Sequence, residues 1–443
     1  MIKPLTRWYW ARHARNNGLP EVRSRVEAFR ASDPTGRRRE LGRLLQAQLR
    51  LFSPLDGAYD EWRRLAREED PECVLDAWSS LPIMTKKDQR ERFPPQAIQA
   101  WLGGKGLLNS TGGSTGEPTF FVQDPGMVAG GLALQTLHWM RMGWKPGLPL
   151  VSLWGAQRDI GAGLKGLPAL KKRLSDYLYG FDVIAGFSIT EDTALRLLDR
   201  LEAGAPVGMY GYTSLLDFLA RTAIKHGRTV RPGQVTTAWN GGECLFPDQS
   251  ERFESVFHVP ILNYYAGREL GPLAGQCRKG GVLEVPRPFV HLELVDAAGA
   301  PAAPGEEGRI IVTSTLCKGT PFLRYEVGDL GMAGPALRDE AGLLGLDAVS
   351  GRVSSLLTVG GKTISNIFWN HLFKEYPEIA QFQVVSRRDG LLFRFRGAGF
   401  SPEREASLRG ILAGFLADVT LAIEWHERLP LTPAGKLIHV IQE

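Results

Sequence analysis

The chain of 443 residues is poor in the features that mark membrane, secreted or metal-organised proteins. No run approaches the roughly 20 consecutive apolar residues that a membrane helix requires. The opening Met1-Ile2-Lys3-Pro4-Leu5-Thr6-Arg7-Trp8 lacks the apolar core of a signal peptide, so a cytoplasmic protein without a membrane span is expected. Cysteine is scarce: Cys73, Cys244, Cys277 and Cys317 stand far apart, with neither a C-x-x-C pair nor a histidine cluster beside them. This spacing argues against a zinc site and a disulfide framework and fits reduced thiols. Internal repeats and low-complexity tracts are missing. No glycine run ends in the lysine of a Walker A loop or follows the G-x-G-x-x-G dinucleotide pattern.

What is present is ordinary in bulk and uneven in detail. With 43% hydrophobic and 23% charged residues the chain has the composition of a globular protein, and its length implies two or more domains. The net charge of +5 is concentrated at the N-terminus, where residues 1–50 hold twelve Lys and Arg against four Asp and Glu. A basic arm of this kind can dock on nucleic acid, a membrane or an acidic polymer. Val22, Val26 and Phe29 nevertheless recur at helical spacing between Arg23, Arg25 and Arg30, which favours a solvated helix face, and no nucleic-acid partner is expected.

The most informative stretch is Asn109-Ser110-Thr111-Gly112-Gly113-Ser114-Thr115-Gly116-Glu117-Pro118. It has almost no apolar surface to bury. Its glycines let successive N–H groups turn toward one point and its hydroxyls add donors, which makes a cradle for a phosphate. A plain surface loop is the competing reading.

Around it the chain reads in order. Leu41 to Arg67 is helical in pattern. Leu81-Pro-Ile-Met-Thr-Lys-Lys-Asp follows, with Thr85 placed to cap a short helix whose first turn carries Asp88. Phe120–Val122 reads as a strand and residues 126–142 as a helix. Apolar runs at Leu148–Trp154, Val183–Ile184, Val207–Tyr210, Gln234–Trp239 and Pro260–Tyr264 alternate with helical stretches at Thr190–Ala203, Ser214–His226 and Pro247–Phe257, an α/β pattern. Period-two runs at Phe289–Val295 and Arg309–Thr313 mark antiparallel structure. Beyond Gly351, residues 365–376, 381–396, 402–418 and 419–425 alternate helix, strand, helix, strand, as in a small α+β domain.

Four further pieces carry chemistry. Asn240-Gly241-Gly242-Glu243 ends a strand with glycine peptides against which a flat purine can slide, although a tight strand-to-helix turn reads the same way. Asn263-Tyr264-Tyr265-Ala266-Gly267-Arg268-Glu269 offers an aromatic face and a carboxylate suited to a hard cation. Arg324 and Asp329 flank Gly328, and Asp329 can accept two ribose hydroxyls or pair with an arginine. Lys436 follows Gly435 near the C-terminus, where a solvated lysine is the ordinary case.

In this order the motifs resemble the adenylate-forming superfamily of acyl-CoA synthetases, synthetase adenylation domains and luciferases. The resemblance runs from Leu81 to the C-terminus, and the Leu-Pro-x-x-Thr-Lys-x-Asp segment is similar to the phenylacetate-CoA ligase family with its capsule-biosynthesis branch. It implies an α/β fold: a helical segment over 1–80, an adenylate-forming core over 81–350 holding α/β sheets and a small β subdomain, and a mobile α+β domain over 351–443. It implies that Ser110 and Thr111–Gly116 hold the ATP phosphates, that Gly241, Gly242 and Glu243 line the adenine, and that Tyr265, beside Tyr264, stacks on the base. Glu269 would hold Mg²⁺, Asp329 the ribose, and Arg324 and Arg352 would steady the nucleotide, with Gly351 and Arg352 opening a hinge. Lys436 would bridge the acid and the α-phosphate, and Gly361 would approach the pantetheine of CoA. The chain departs from the family pattern at Ala266 and Arg268, where glycine and a hydroxyl are usual, at Ser354 and Ser355 in the hinge, and at Glu117. Arg268 would supply a positive charge there instead.

Trp139, Trp154, Tyr210, Tyr212 and Trp239 offer a stacking surface for an aromatic or flat acid, or are core. The expected activity is ATP-dependent activation of a small carboxylic acid with transfer to CoA. An amine or hydroxyl acceptor and a catalytically impaired nucleotide-binding partner protein are the alternatives, and a homodimer is left open.

Overall fold

The computed structural model describes residues 4–110, 119–154, 167–185, 190–352, 357–359, 362–364, 369, 372–373, 376, 378–387, 390–416, 419–431 and 437–442. The chain divides into a larger compact unit running to Val349 and a smaller one from Ser350 onward, which also takes in Gly328–Leu330.

Alternation along five short strands decides how the larger unit is layered. β1 (Leu150–Trp154), β2 (Phe181–Ala185), β3 (Val207–Gly211), β4 (Val235–Asn240) and β5 (Ile261–Leu262) pair in parallel in the order β2-β1-β3-β4-β5. Val151, Leu153, Met209, Ala238 and Ile261 point to one face, where they pack with Leu197, Leu216 and Phe253 of helices Glu191–Ala203, Thr213–Lys225 and Pro247–Phe257. Their chain neighbours Leu150, Tyr210, Trp239 and Leu262 turn to the other face and meet Trp139 and Trp144. A parallel sheet covered on both faces shows this period of two with apolar residues in both phases. One face is aliphatic and the other aromatic.

Helix starts follow their capping residues. Asp124 Oδ1 accepts from Met127 N at 3.0 Å to open Pro125–Arg141. Thr85 and Asp88 form a reciprocal capping box over Lys86–Arg92, as the sequence predicts. The stripe of Leu19, Val22 and Val26 packs on Ala133, Leu134 and Leu137 of helix Pro125–Arg141, so it is a packing face with arginines outside it. The helical pattern over Leu41–Arg67 resolves into two helices, Pro34–Phe52 and Asp60–Leu65. Pro54 breaks it, because proline cannot supply the backbone donor.

β6 (Tyr264–Gly267) and β7 (Gly271–Gln276) form an antiparallel hairpin, and β8 (Val290–Val295) pairs with β9 (Glu307–Ser314) in unbroken antiparallel register. β10 (Tyr325–Met332) follows.

In the smaller unit a four-stranded sheet runs in the order Thr420–Trp425, Gly390–Gly397, Ile379–Arg387, Val440–Gln442. Helix Pro402–Phe415 buries Leu408 and Leu412 in the same core as Val384 and Phe393. The single strand expected over 381–396 is two antiparallel strands with Arg387 opposite Gly390. Gly390 holds φ 153, and a Cβ there would meet the Thr420 carbonyl at 2.1 Å, so only glycine lets the second strand begin so close to its neighbour.

Candidate functional site

In a sheet of order 2-1-3-4-5 the direction of chain progression reverses between β1 and β3, and ligands of such folds lie outside the carboxyl ends of the strands there. Those ends carry Trp154, Tyr212 and the Asn240–Gly242 turn. All five aromatics singled out in sequence meet in one connected stack. Tyr212 and Trp154 lie face to face at 4.4 Å between centroids, and Trp154 and Tyr210 at 4.9 Å. Tyr210 and Trp239 follow at 5.8 Å, and Trp239 and Trp139 at 5.4 Å. Trp139, Tyr212 and Trp239 are buried, while Trp154 and Tyr210 keep part of their surface open. Burial pushes the Tyr210 hydroxyl far above its ordinary range, with Tyr264 and Tyr212 adding to the rise, so it remains a neutral donor. Trp139, Trp239 and Tyr212 are therefore core, and the Trp154–Tyr210 pair between them keeps some exposure.

The two glycines of the Asn240–Gly242 turn lie against these rings. A Cβ on Gly241 would stand 2.9 Å from Tyr210 Oη and 3.2 Å from the Trp154 ring. One on Gly242, whose φ is +72, would stand 2.8 Å from the Tyr212 ring. Gly242→Ala is expected to cost about 1–3 kcal/mol through backbone strain and overpacking, read as a lower urea midpoint. An unchanged midpoint would mean that the stack yields freely.

Glu243 has a structural partner. Tyr212 provides no side-chain cap for helix Thr213–Lys225, and Glu243 supplies the missing acceptors: Ser214 N donates to Oε2 at 2.7 Å and Ser214 Oγ to Oε1 at 3.0 Å. A carboxylate at a helix N-terminus is favoured by the exposed N–H groups and the helix dipole. Asn240, to which the sequence reading assigned no role, ties this end of the sheet together. It is 1% exposed, its Nδ2 donates to Thr213 Oγ1 at 3.0 Å and to Glu243 O at 2.9 Å, and its Oδ1 accepts from Tyr264 N at 3.0 Å. Its place directly before the glycine pair is the signal that would have found it.

A second cluster surrounds the flank of the Gly-Ser-Thr stretch. Strands Leu107–Ser110 and Phe120–Gln123 pair with Ser110 opposite Phe120. Asn109 Nδ2 donates to Gln123 Oε1 at 3.1 Å, Gln123 Nε2 to Arg268 O at 3.5 Å, and Arg268 Nη1 to Ser110 O at 3.4 Å. The tyrosine segment and the base of the hydroxyl-rich loop are thus joined through Arg268, the residue at the hydroxyl position of the family motif. Thr111, Gly112, Gly113, Ser114, Thr115 and Gly116 lie outside the described residues, as do Ser354, Ser355, Gly361 and Lys436.

Arg324 departs from its expected role. It is 2% exposed at φ +45 in the core of the larger unit. Its Nε donates to Glu293 Oε2 at 3.1 Å, its Nη2 stands 3.0 Å from Glu293 Oε1, and its Nη1 donates to Ser79 O at 2.5 Å and to Leu81 O. The guanidinium is thus committed to partners within the larger unit.

The remaining expected residues are placed more simply. Tyr264 is buried beside His138, whereas Tyr265 and Glu269 are partly exposed. Asp329 is partly exposed in β10, next to Gly328 at φ +86. Arg352 ends strand Ala348–Arg352. Among the described residues no group of three or more His, Cys, Asp or Glu could hold a metal ion. Glu269 alone with phosphate oxygens is nevertheless a donor set that Mg²⁺ accepts, because that ion keeps most of its waters and takes few protein ligands. No helix among the described residues is long and apolar enough to cross a membrane.

The fold, a larger α/β unit followed by a smaller C-terminal one, is shared with solved structures of CoA ligases. The structure of 2-hydroxyisobutyryl-CoA ligase in the postadenylation state, in complex with R3-HIB-AMP, matches 93% of this chain and 91% of its own at a TM-score of 0.67 and 17% identity. The amide bond synthetase McbA from Marinactinospora thermotolerans matches 74% of this chain and 66% of its own at a TM-score of 0.51 and 17% identity. In sequence, the acetyl-coenzyme A synthetase of Wolinella succinogenes is 25% identical over 229 residues, 45% of this chain. That match spans 31% of the synthetase's length, and no family model matches the chain.

Proposed function

We propose that this protein is an ATP-dependent ligase that converts a carboxylic acid to its acyl-adenylate and passes the acyl group to the thiol of CoA. The observation that carries the reading is the Asn109–Gln123–Arg268–Ser110 network, which sets a cation at the base of a hydroxyl- and glycine-rich loop. A carboxylate oxygen would attack the α-phosphorus of ATP and the bond to pyrophosphate would break. The thiolate would then attack the acyl carbon and release AMP. Arg268, Lys436 and a Mg²⁺ on Glu269 would offset the repulsion between carboxylate and triphosphate, and Asp329 would orient the ribose. The partly exposed Trp154–Tyr210 pair would receive a flat acid. The Leu81–Asp88 segment supports a place near the phenylacetate-CoA ligases.

The likeness to an amide bond synthetase supports a second reading in which an amine takes the acyl group. Purified protein given ATP, Mg²⁺ and a panel of acids is expected to release pyrophosphate only when an acid is present, and to form a thioester when CoA is added. Product from an added amine with no thioester would favour the second reading. Pyrophosphate release that no acid stimulates would refute both.

A further inference from the structure

The basic residues of the first 50 positions are not all neutralised. Arg23, Arg30, Arg37, Arg38, Arg39 and Arg43 each face a carboxylate. Arg7, Arg12 and Arg15 have no carboxylate partner among the described residues, and all three lie exposed on helix Pro4–Asn16, which contains no acidic residue. Arg12 lies instead over the ring of Trp8, 5.7 Å from its centroid, and Trp8 is 52% exposed.

This helix packs on helix Leu167–Tyr179. Trp8 meets Tyr9 edge-on at 5.7 Å, Tyr9 meets Tyr179 at 5.6 Å, and Trp10 Nε1 donates to the Tyr179 carbonyl at 2.8 Å. The second helix shows a stripe of Leu167, Leu170, Leu174 and Tyr177, exposed by 72%, 63%, 55% and 58%. Steps of three and four residues keep these side chains within an arc of about 80°. Among the described helices no other carries more than one large apolar side chain this exposed. Lys171 lies exposed in the same helix with no carboxylate partner among the described residues, and the helix's acid, Asp176, is held by Lys172 at 2.8 Å.

We propose that these two helices form a docking face for an anionic lipid bilayer. The leucines would enter the boundary between headgroups and acyl chains, Trp8 and Tyr177 would lie at headgroup level, and Arg7, Arg12, Arg15 and Lys171 would meet lipid phosphates. Charge complementarity selects the occupant: the cations are left without carboxylates beside a stripe that stands out from the surface. A protein partner would need a matching groove to cover leucines this exposed, whereas a fluid surface takes them without shape complementarity.

The test uses the full chain sedimented with vesicles of phosphatidylcholine alone or of an equimolar mixture with phosphatidylglycerol. Binding is expected to the mixed vesicles, to weaken as salt rises, and to be slight on phosphatidylcholine alone. Leu170→Ser with Leu174→Ser is expected to weaken it by roughly a hundredfold, and Arg12→Ser with Arg15→Ser by roughly tenfold or more. Far-UV circular dichroism and acid-dependent pyrophosphate release should stay at the wild-type level in both variants. Wild-type protein that remains in the supernatant with mixed vesicles at low salt would overturn the proposal. So would binding that the leucine variant leaves undiminished, or a saturable complex with an acidic protein in the absence of vesicle binding.

Discussion

Replacing Arg324 by Ala is expected to remove about 3–5 kcal/mol of stability, because one member of a buried ion pair is deleted and the other is left in the core. The residue ties several segments together through both its guanidinium and its backbone. It pairs with Glu293 of β8 and donates to the carbonyls of Ser79 and Leu81, while its own backbone N–H donates to Thr313 Oγ1 at 3.0 Å and its carbonyl accepts from Met84 N at 2.9 Å. Burial raises the Glu293 carboxyl above its ordinary range and Arg324 opposes that rise, so removing the arginine lifts it further. A carboxyl whose folded-state pKa is raised stabilises the fold while protonated and loses that contribution as pH climbs through the folded value. The deficit of the variant is therefore expected to be smallest in acid, below the usual carboxylate range, and largest at neutral pH. Urea titrations across pH would show this, and Arg324→Lys should recover little, since an ammonium cannot fork between a carboxylate and two carbonyls. ATP affinity of the folded fraction should be unchanged. A variant that melts like wild type but binds ATP much more weakly would restore the nucleotide role.

Much of the architecture is legible in the sequence because it depends on local signals. Val207–Tyr210 and Gln234–Trp239 are apolar runs between helical stretches, and they became neighbouring parallel strands with Tyr210 opposite Trp239. Thr85 and Asp88 stand three residues apart, and the capping box formed. The aromatic group was legible for a geometric reason: Trp154, Tyr210, Tyr212 and Trp239 lie near the same ends of adjacent strands, so a parallel sheet brings them together. Whether they line a pocket or fill a core was not legible, because that depends on ring tilt and on Gly241 and Gly242, which press the peptide onto the rings. The buried pairing of Arg324 was not legible, because nothing in Arg-Tyr-Glu-Val-Gly-Asp reveals a partner 31 residues upstream. Glu243 likewise gives no sign in sequence that its carboxylate caps the helix that Tyr212 leaves uncapped. Long-range pairing decides both cases, and periodicity is silent on it.

Lys436→Ala is expected to slow acid-dependent pyrophosphate exchange by about a hundred- to a thousandfold, the range seen when a preorganised group facing developing charge is lost. ATP affinity should change little, because the proposed role of this lysine begins only when the acid's carboxylate meets the α-phosphate. Leu431 and Leu437, which bracket the Thr-Pro-Ala-Gly-Lys segment in sequence, pair as an antiparallel bridge, and Gln383 Nε2 donates to Pro430 O at 2.9 Å. The base of the segment is thus fastened to the sheet of the smaller unit, and Lys436 directly precedes one residue of the bridge. The two half-reactions separate this role from a structural one. Given synthetic acyl-adenylate and CoA, the Lys436→Ala protein should form thioester at nearly the wild-type rate, because no carboxylate then has to approach a phosphate. Loss of both half-reactions together would mean that the substitution damaged the smaller unit, and unchanged exchange would remove Lys436 from the chemistry.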